Sequence, residues 1–264
     1  MYLGKELEVA KQIARTVWET IAPLYDTLLD IETKEDGTPV TKADKLANEI
    51  ILAELQARFP NDSIISEEDS KIIKGKRTWY VDPIDGTRGF LKRNAHFAIH
   101  IGLCVDTLPS MGIVYSAATD DMYWGIPGVG AFRENPRGTI ELKVTQPDME
   151  NLRAIKGFYA EDKKIVEILD YIGVKKSSKH GGEGLRIKNI AENRADIRIP
   201  GGIIANTWDL CAPHAVLLAA GGAVQFLDGS PVEYTQQGWL RKLYVCARNQ
   251  ELADLAVLGA KIFL

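Results

Sequence analysis

The run Asp82-Pro83-Ile84-Asp85-Gly86-Thr87 places two carboxylates, a proline and a glycine directly after the apolar Trp79-Tyr80-Val81. Pro83 restricts Asp82 to an extended backbone, and Asp85 is suited to cap a helix that starts just after it. Gly86 lets the chain approach a ligand closely. With Thr87 it would present backbone N–H groups at a helix start, where an anion such as phosphate is attracted. The same letters also describe an ordinary Asp-Gly turn. Three other acidic motifs carry a similar ambiguity. Ser66-Glu67-Glu68-Asp69 is either a set of oxygen donors or a solvated acidic loop. Asp209, after Trp208, is either a ligand or only the cap of the Ala-rich segment that ends at Gly221-Gly222. Thr41-Lys42-Ala43-Asp44 is either a variant capping box or the source of a working carboxylate.

Taken together, the motifs narrow the chemistry. If Glu67, Asp82 and Asp85 meet Asp209, several carboxylates share one cleft. Like charges that close need a counter-charge. Hard divalent cations supply it, and Mg²⁺ takes a few carboxylates together with water and substrate phosphate. Two such ions about 4 Å apart would clamp the attacking and leaving oxygens of a phosphoryl transfer. This is also a way for an acidic chain to bind an anion.

The elements that must position these residues follow from length and periodicity. The 264 residues, 45% hydrophobic and 26% charged, allow one large domain or two modest ones of ordinary globular composition. A net charge of −4 argues against a nucleic-acid polymer as partner. Three scattered cysteines, Cys104, Cys211 and Cys246, fit a reducing compartment. With no signal-peptide core at the start and no long apolar run, a cytoplasmic protein without a membrane partner is expected. Helices are predicted over 4–29, with a kink or break at Pro23, and over 41–59, with a polar loop at 30–40 between them. Strands follow near 79–81, 96–105, 112–115 and 121–125. The second half alternates: helix 161–172, strands 174–178 and 195–199, helix 209–220, strands 222–227 and 242–247, helix 251–262. The reading is therefore an α+β domain over 1–146 that carries the first metal motifs, then an α/β domain over 147–264 that carries Asp209 and the substrate-recognition residues.

In this order and spacing the motifs at 67–68, 82–87 and 208–209 resemble the lithium-sensitive, Mg²⁺-dependent phosphomonoesterases. That superfamily includes inositol monophosphatases, fructose-1,6-bisphosphatases and 3′(2′),5′-bisphosphate nucleotidases. The resemblance implies a layered αβαβα sandwich and two or three Mg²⁺ ions. Glu67, Asp82 and the Ile84 carbonyl would hold one ion, and Asp82, Asp85 and Asp209 a second. The Gly86 and Thr87 amides would hold the phosphate. Thr87 and Asp44 would form a hydroxyl–carboxylate pair that, with Glu67, orients and deprotonates the attacking water. The 30–40 loop would close over the metals. Family members are often homodimers, so a homodimer is an admissible partner state.

Within the superfamily, Arg88-Gly89-Phe90-Leu91, Gly181-Gly182-Glu183-Gly184-Leu185-Arg186 and Trp208-Asp209-Leu210-Cys211-Ala212-Pro213 are similar to the nucleotidase branch. Gly184, Arg186 and Asp209 are then expected to touch substrate, with the Arg186 guanidinium on a second phosphate. Gly202 stands where inositol monophosphatases carry a glutamate that meets inositol hydroxyls. The small phosphorylated substrate is therefore expected to be 3′-phosphoadenosine 5′-phosphate, with an inositol phosphate as the alternative. His96 and His100 lie about 13 Å apart along a strand, too far to share one ion, and are assigned structural roles. Trp79 and Trp208 are read as packing supports.

Overall fold

The computed structural model describes residues 3–25, 31–33, 39–68, 71–158, 162–201, 206–235, 238–240 and 242–264. The described elements run α1 (Gly4–Tyr25), β1 (Ile31–Thr33), β2 (Pro39–Thr41), α2 (Lys42–Arg58), β3 (Ser63–Ser66), β4 (Lys71–Ile72), β5 (Arg77–Asp85), α3 (Thr87–Leu91), β6 (Ala98–Val105), β7 (Leu108–Ser116), β8 (Asp121–Ile126), β9 (Gly130–Asn135) and β10 (Gly138–Leu142). They continue with β11 (Leu152–Lys156), α4 (Lys163–Tyr171), β12 (Val174–Lys179), α5 (Glu183–Ala191), β13 (Ile197–Arg198), α6 (Thr207–Ala219), β14 (Ala223–Phe226), β15 (Tyr244–Ala247) and α7 (Gln250–Phe263). An eight-stranded sheet has the order β10-β9-β8-β7-β6-β5-β3-β4 and a five-stranded sheet the order β12-β11-β13-β15-β14. The large sheet is antiparallel except where β3 runs parallel to β5. Among the described residues no helix is long and apolar enough to cross a membrane.

Alternation along the strands builds the layers. On β5 and β6, Trp79, Val81, Ile99, Ile101 and Leu103 face α1 and α2, which present Ile13, Val17, Ile21, Ala47, Ile51 and Leu55 at helical spacing. The opposite face, with Tyr80, Ala98 and Val114, packs on Leu185, Leu210 and Cys211 of α5 and α6, and the inner face of the small sheet closes that core through Tyr244 and Cys246. The outer face of the small sheet meets α4 and α7 through Ala154, Val245, Ile168, Leu252 and Ala256. The order is helix, sheet, helix, sheet, helix, which is the expected αβαβα sandwich.

The seat of α6 is made of glycine. Gly102 pairs with Gly112, and Gly112 with Gly125, so three glycines stand side by side across β6, β7 and β8. A Cβ at Gly112 would lie 2.1 Å from the Ala212 carbonyl oxygen. One at Gly102 would lie 2.7 Å from Cys211 Sγ, and one at Gly125 would lie 2.8 Å from Val216 Cα. The helix backbone therefore rests on the bare strands, closer than any side chain would permit.

Some elements differ from the sequence reading. The helix expected over 4–29 runs through Pro23 to Tyr25, since a proline in the last turn removes little of the hydrogen-bond ladder; residues 26–30 lie outside the described set. The strand expected at 79–81 is nine residues long because Asp82–Asp85 is absorbed as a bulge. Helix α5 was not foreseen. Gly181, Gly182 and Gly184 near its start are poor helix formers, but tertiary burial of Leu185, Ile187 and Ile190 outweighs that local propensity. Of the 30–40 loop, the described parts are Ile31–Thr33 and the start of β2, which pair antiparallel.

The glycine row yields a prediction. Gly112→Ala should destabilise the fold by at least the ~1–3 kcal/mol typical of overpacking, because the obstructing atom is backbone. A lower urea midpoint at unchanged m-value is the expected result, and an unchanged midpoint would show that α6 can lift without cost.

Candidate active site

β5 carries the first carboxylates to the sheet's end and then breaks register. Asp82 lies opposite His100, whereas Asp85 lies opposite Ala98, so three steps on β5 match two on β6. Pro83 and Ile84 form that bulge, and the Ile84 N–H donates to Asp82 Oδ1 at 3.0 Å. Gly86 follows with φ of 94°, where a Cβ would stand 2.5 Å from the His96 carbonyl. Thr87 then opens α3. As the first groups of that helix, the Gly86 and Thr87 N–H have no carbonyl four residues back within it.

Asp85 does not cap α3, contrary to the sequence reading. Gly86 holds the cap position without a side-chain bond. Asp85 turns instead to the start of α5, where its Oδ2 accepts the Gly184 N–H at 2.9 Å and lies 3.2 Å from His100 Nε2. Burial pushes the Asp85 carboxyl upward, but His100, Arg186 and the α5 backbone outweigh it and hold the group below its ordinary value.

Asp44 makes the contacts of the capping box and those of the Thr87 pair at once. Its Oδ2 accepts the Thr41 N–H at 2.7 Å and the Thr41 hydroxyl at 2.6 Å, completing a capping box at the start of α2. Its Oδ1 accepts the Thr87 hydroxyl at 3.1 Å. The two readings use different oxygens and do not compete. Burial, helped by the charge of Glu67, raises the Asp44 carboxyl against these hydrogen bonds.

The other carboxylates gather around Asp82. The Glu67 N–H donates to the Val81 carbonyl at 3.1 Å, which pins the end of β3 beside β5. Asp209 is the third residue of α6 and accepts the Asn206 N–H at 3.3 Å. Burial raises the Asp82 carboxyl far above its ordinary range, and Glu67, Asp85 and Asp209 add like-charge repulsion. The Asp209 carboxyl is raised by burial and then by Asp85 and Glu67.

Arg186 sits in the first turn of α5. Its Nε donates to the His180 carbonyl at 3.0 Å and its Nη1 pairs with Glu183. Glu183 is itself gripped by Arg198, with both contacts at 3.1 Å, and accepts the Tyr244 hydroxyl at 2.8 Å. Gly184, expected at the substrate, gives its N–H to Asp85. Of the other flagged residues, Trp79 is fully buried and donates to Asp62 Oδ2 at 2.9 Å. Gly202 lies outside the described residues.

Comparison with known proteins bears on this arrangement. The model of the inositol monophosphatase family matches residues 3–258. The chain belongs to the inositol monophosphatase family. The 3′(2′),5′-bisphosphate nucleotidase CysQ of Escherichia coli K12 is 33% identical over 237 residues, covering 87% of this chain and 94% of that protein. The inositol-1-monophosphatase of Bacillus subtilis is 28% identical, over 87% of this chain and 88% of that protein. Among solved structures, the extragenic suppressor protein SuhB of Bartonella henselae superposes with a TM-score of 0.84 at 22% identity, covering 99% of this chain and 100% of that one. CysQ of Bacteroides thetaiotaomicron superposes with a TM-score of 0.78 at 22% identity, over 94% of this chain and 99% of that one.

As a member of this family the chain is a phosphatase, and family members generally depend on Mg²⁺. The donor chemistry fits such an ion: hard oxygens, buried at Asp82 and Asp85 and half-buried at Glu67 and Asp209, with burial and then mutual repulsion raising Asp82 and Asp209. Among the described residues no three Asp, Glu, His or Cys side chains form one ligating group. A set of two carboxylates and a carbonyl, as in Glu67, Asp82 and Ile84, needs no such trio. The set of Asp82, Asp85 and Asp209 does, and one Asp85 oxygen is already engaged.

The sequence reading missed His100 as a member of this site. It weighed His100 only against His96, and the pairing with Asp85 arises from the bulge register.

The raising of Asp82 by burial and repulsion has a measurable consequence. Asp82 has a folded pKa above its unfolded value of about 3.9, so its contribution is fully present below that value and is lost as pH rises through the folded pKa. In chelator at neutral pH, Asp82→Asn should therefore raise Tm and shrink the Tm gain on adding Mg²⁺. A lower Tm in chelator would mean that the charge is compensated within the chain.

Proposed function

We propose that the protein is a Mg²⁺-dependent phosphomonoester hydrolase that prefers a 3′,5′-bisphosphorylated nucleotide, cleaving 3′-phosphoadenosine 5′-phosphate to AMP and phosphate. The observation that carries the hydrolytic part is the hydrogen bond from Thr87 to Asp44 beside the Glu67, Asp82, Asp85 and Asp209 carboxylates. Glu67, Asp82 and the Ile84 carbonyl are assigned to one ion, and Asp82, Asp85 and Asp209 to a second. Mg²⁺ supplies neutralising charge to the phosphate and to these carboxylates. The Gly86 and Thr87 N–H groups receive a phosphate oxygen. Asp44, fixed by Thr41, orients the Thr87 hydroxyl so that its oxygen accepts from the attacking water, and Glu67 takes the water's proton.

The nucleotide preference rests on Arg186 and on the likeness to nucleotidases named CysQ. Arg186 stands on α5 two residues after Gly184, which contacts Asp85, and is near enough to lower the Asp85 carboxyl. From there it would hold the non-reacting phosphate, using binding energy away from the scissile bond to position the reacting one. Gly202 removes the carboxylate expected of an inositol site. The likeness to the Bacillus inositol-1-monophosphatase supports an inositol phosphate as the alternative substrate.

Two experiments test these assignments. Thr87→Ala should lower kcat by about 10²–10⁴-fold with little change in KM, since the amide survives and only the orienting hydroxyl is lost. Asp44→Asn should do the same, and the double variant should be little worse than either; additive losses would reduce Asp44 to a cap. Phosphate release with Mg²⁺ across nucleotide and inositol phosphates tests substrate choice. Arg186→Ala should cost roughly 10- to 150-fold in kcat/KM on the bisphosphate, from the ~1.5–3 kcal/mol of a charge-assisted contact, and little on 3′-AMP. Equal losses on both would remove Arg186 from recognition, and faster hydrolysis of inositol 1-phosphate would favour the alternative.

A further inference from the structure

His100 lies in the middle of the large sheet with its ring wholly buried. On β6 it points away from Ile99 and Ile101, toward the α5 and α6 layer, and pairs across the strands with Asp82 on one side and Val114 on the other. Its Nε2 stands 3.2 Å from Asp85 Oδ2, off the line of an ideal hydrogen bond, and its Nδ1 has no partner among the described residues. From the other side the Gly184 N–H donates to that same oxygen at 2.9 Å. The ring and α5 are in close contact: a Cβ on residue 184 would fall 2.1 Å from His100 Nε2. A buried imidazole set in an apolar sheet, with a glycine opposite that leaves room for it, is a costly arrangement unless the ring does something there.

We propose that His100 is a positioning residue for the cation site. It holds Asp85 Oδ2 against the start of α5 and leaves Oδ1 as the oxygen available to a cation. The inference rests on the assignment of Asp85 as a cation ligand and concerns the group behind that ligand. Groups that orient ligands in this way typically contribute 10–100-fold to metal affinity.

The test reads Mg²⁺ binding without substrate, by calorimetry and by the Mg²⁺ dependence of Tm. His100→Phe keeps the ring volume and removes both nitrogens, and should weaken Mg²⁺ binding about 10–100-fold. His100→Gln, whose amide can reach Asp85, should restore most of the affinity. Gly184→Ala approaches from α5 and displaces the ring, so it should reproduce the His100→Phe loss and serves if His100→Phe does not fold. In an Asp85→Asn background His100→Phe should cost nothing further. Full affinity in His100→Phe, or in Gly184→Ala, while Asp85→Asn binds weakly would overturn the role of His100 alone. Full affinity in Asp85→Asn would overturn the assignment of Asp85 itself.

Discussion

The seating of α6 on three adjacent glycines is the constraint on which the site depends. Asp209 belongs to the second half of the chain and Asp82 and Asp85 to the first. They come within electrostatic reach of one another because the backbone of α6 lies directly on β6 and β7, with the Ala212 carbonyl 2.1 Å from where a Cβ of residue 112 would be. Any side chain in that row would lift the helix and carry Asp209, three residues from its start, away from the end of β5. The apolar contacts of Leu210, Cys211 and Val216 then hold the helix down. Close packing here does more than stabilise: it sets the distance between carboxylates contributed by distant parts of the sequence.

That distance has an electrostatic cost. Asp82 and Asp209 are raised by burial and by one another's neighbours, whereas Asp85, equally enclosed, is lowered. The difference lies in what each carboxylate faces. Asp85 looks at the start of α5, at His100 and toward Arg186. Asp82 looks mainly at other carboxylates. Burial first, and then repulsion, make a charged Asp82 costly in the folded protein, a cost that a neighbouring cation would reduce.

Much of this was legible in the sequence, and the exceptions have physical causes. The stripes of α1 and α2 and the alternation of β6 are periodic, so the layers they form could be read directly. The Asp82–Thr87 run, Glu67, Asp44 and Asp209 were identifiable by residue type and order. Helix α5 was hidden because three glycines near its start mask a buried apolar face at 185, 187 and 190. Those glycines are spent on contacts with His96, Asp85 and His100 that no local pattern encodes. The bulge at Pro83-Ile84 was equally invisible, and with it the register that brings His100 to Asp85. The glycine row was unread for the same reason: 102, 112 and 125 become neighbours only once three strands are paired.

The capping residues explain how an acidic chain can receive an anionic substrate. Asp44 and Asp209 each occupy the third position of a helix, and Asp85 meets the first turn of another. Helix N-termini carry partial positive charge and favour ionised carboxylates beside them. Capping was posed against catalysis for Asp44 and against ligation for Asp209, yet in Asp44 one oxygen serves the helix and the other the Thr87 hydroxyl. A carboxylate anchored through one oxygen to a helix start has lost its rotational freedom, so its second oxygen points in a fixed direction. The helix thus supplies both the charge that tolerates the carboxylate and the rigidity that aims it. These helix starts add local positive potential that the net charge of −4 does not reflect.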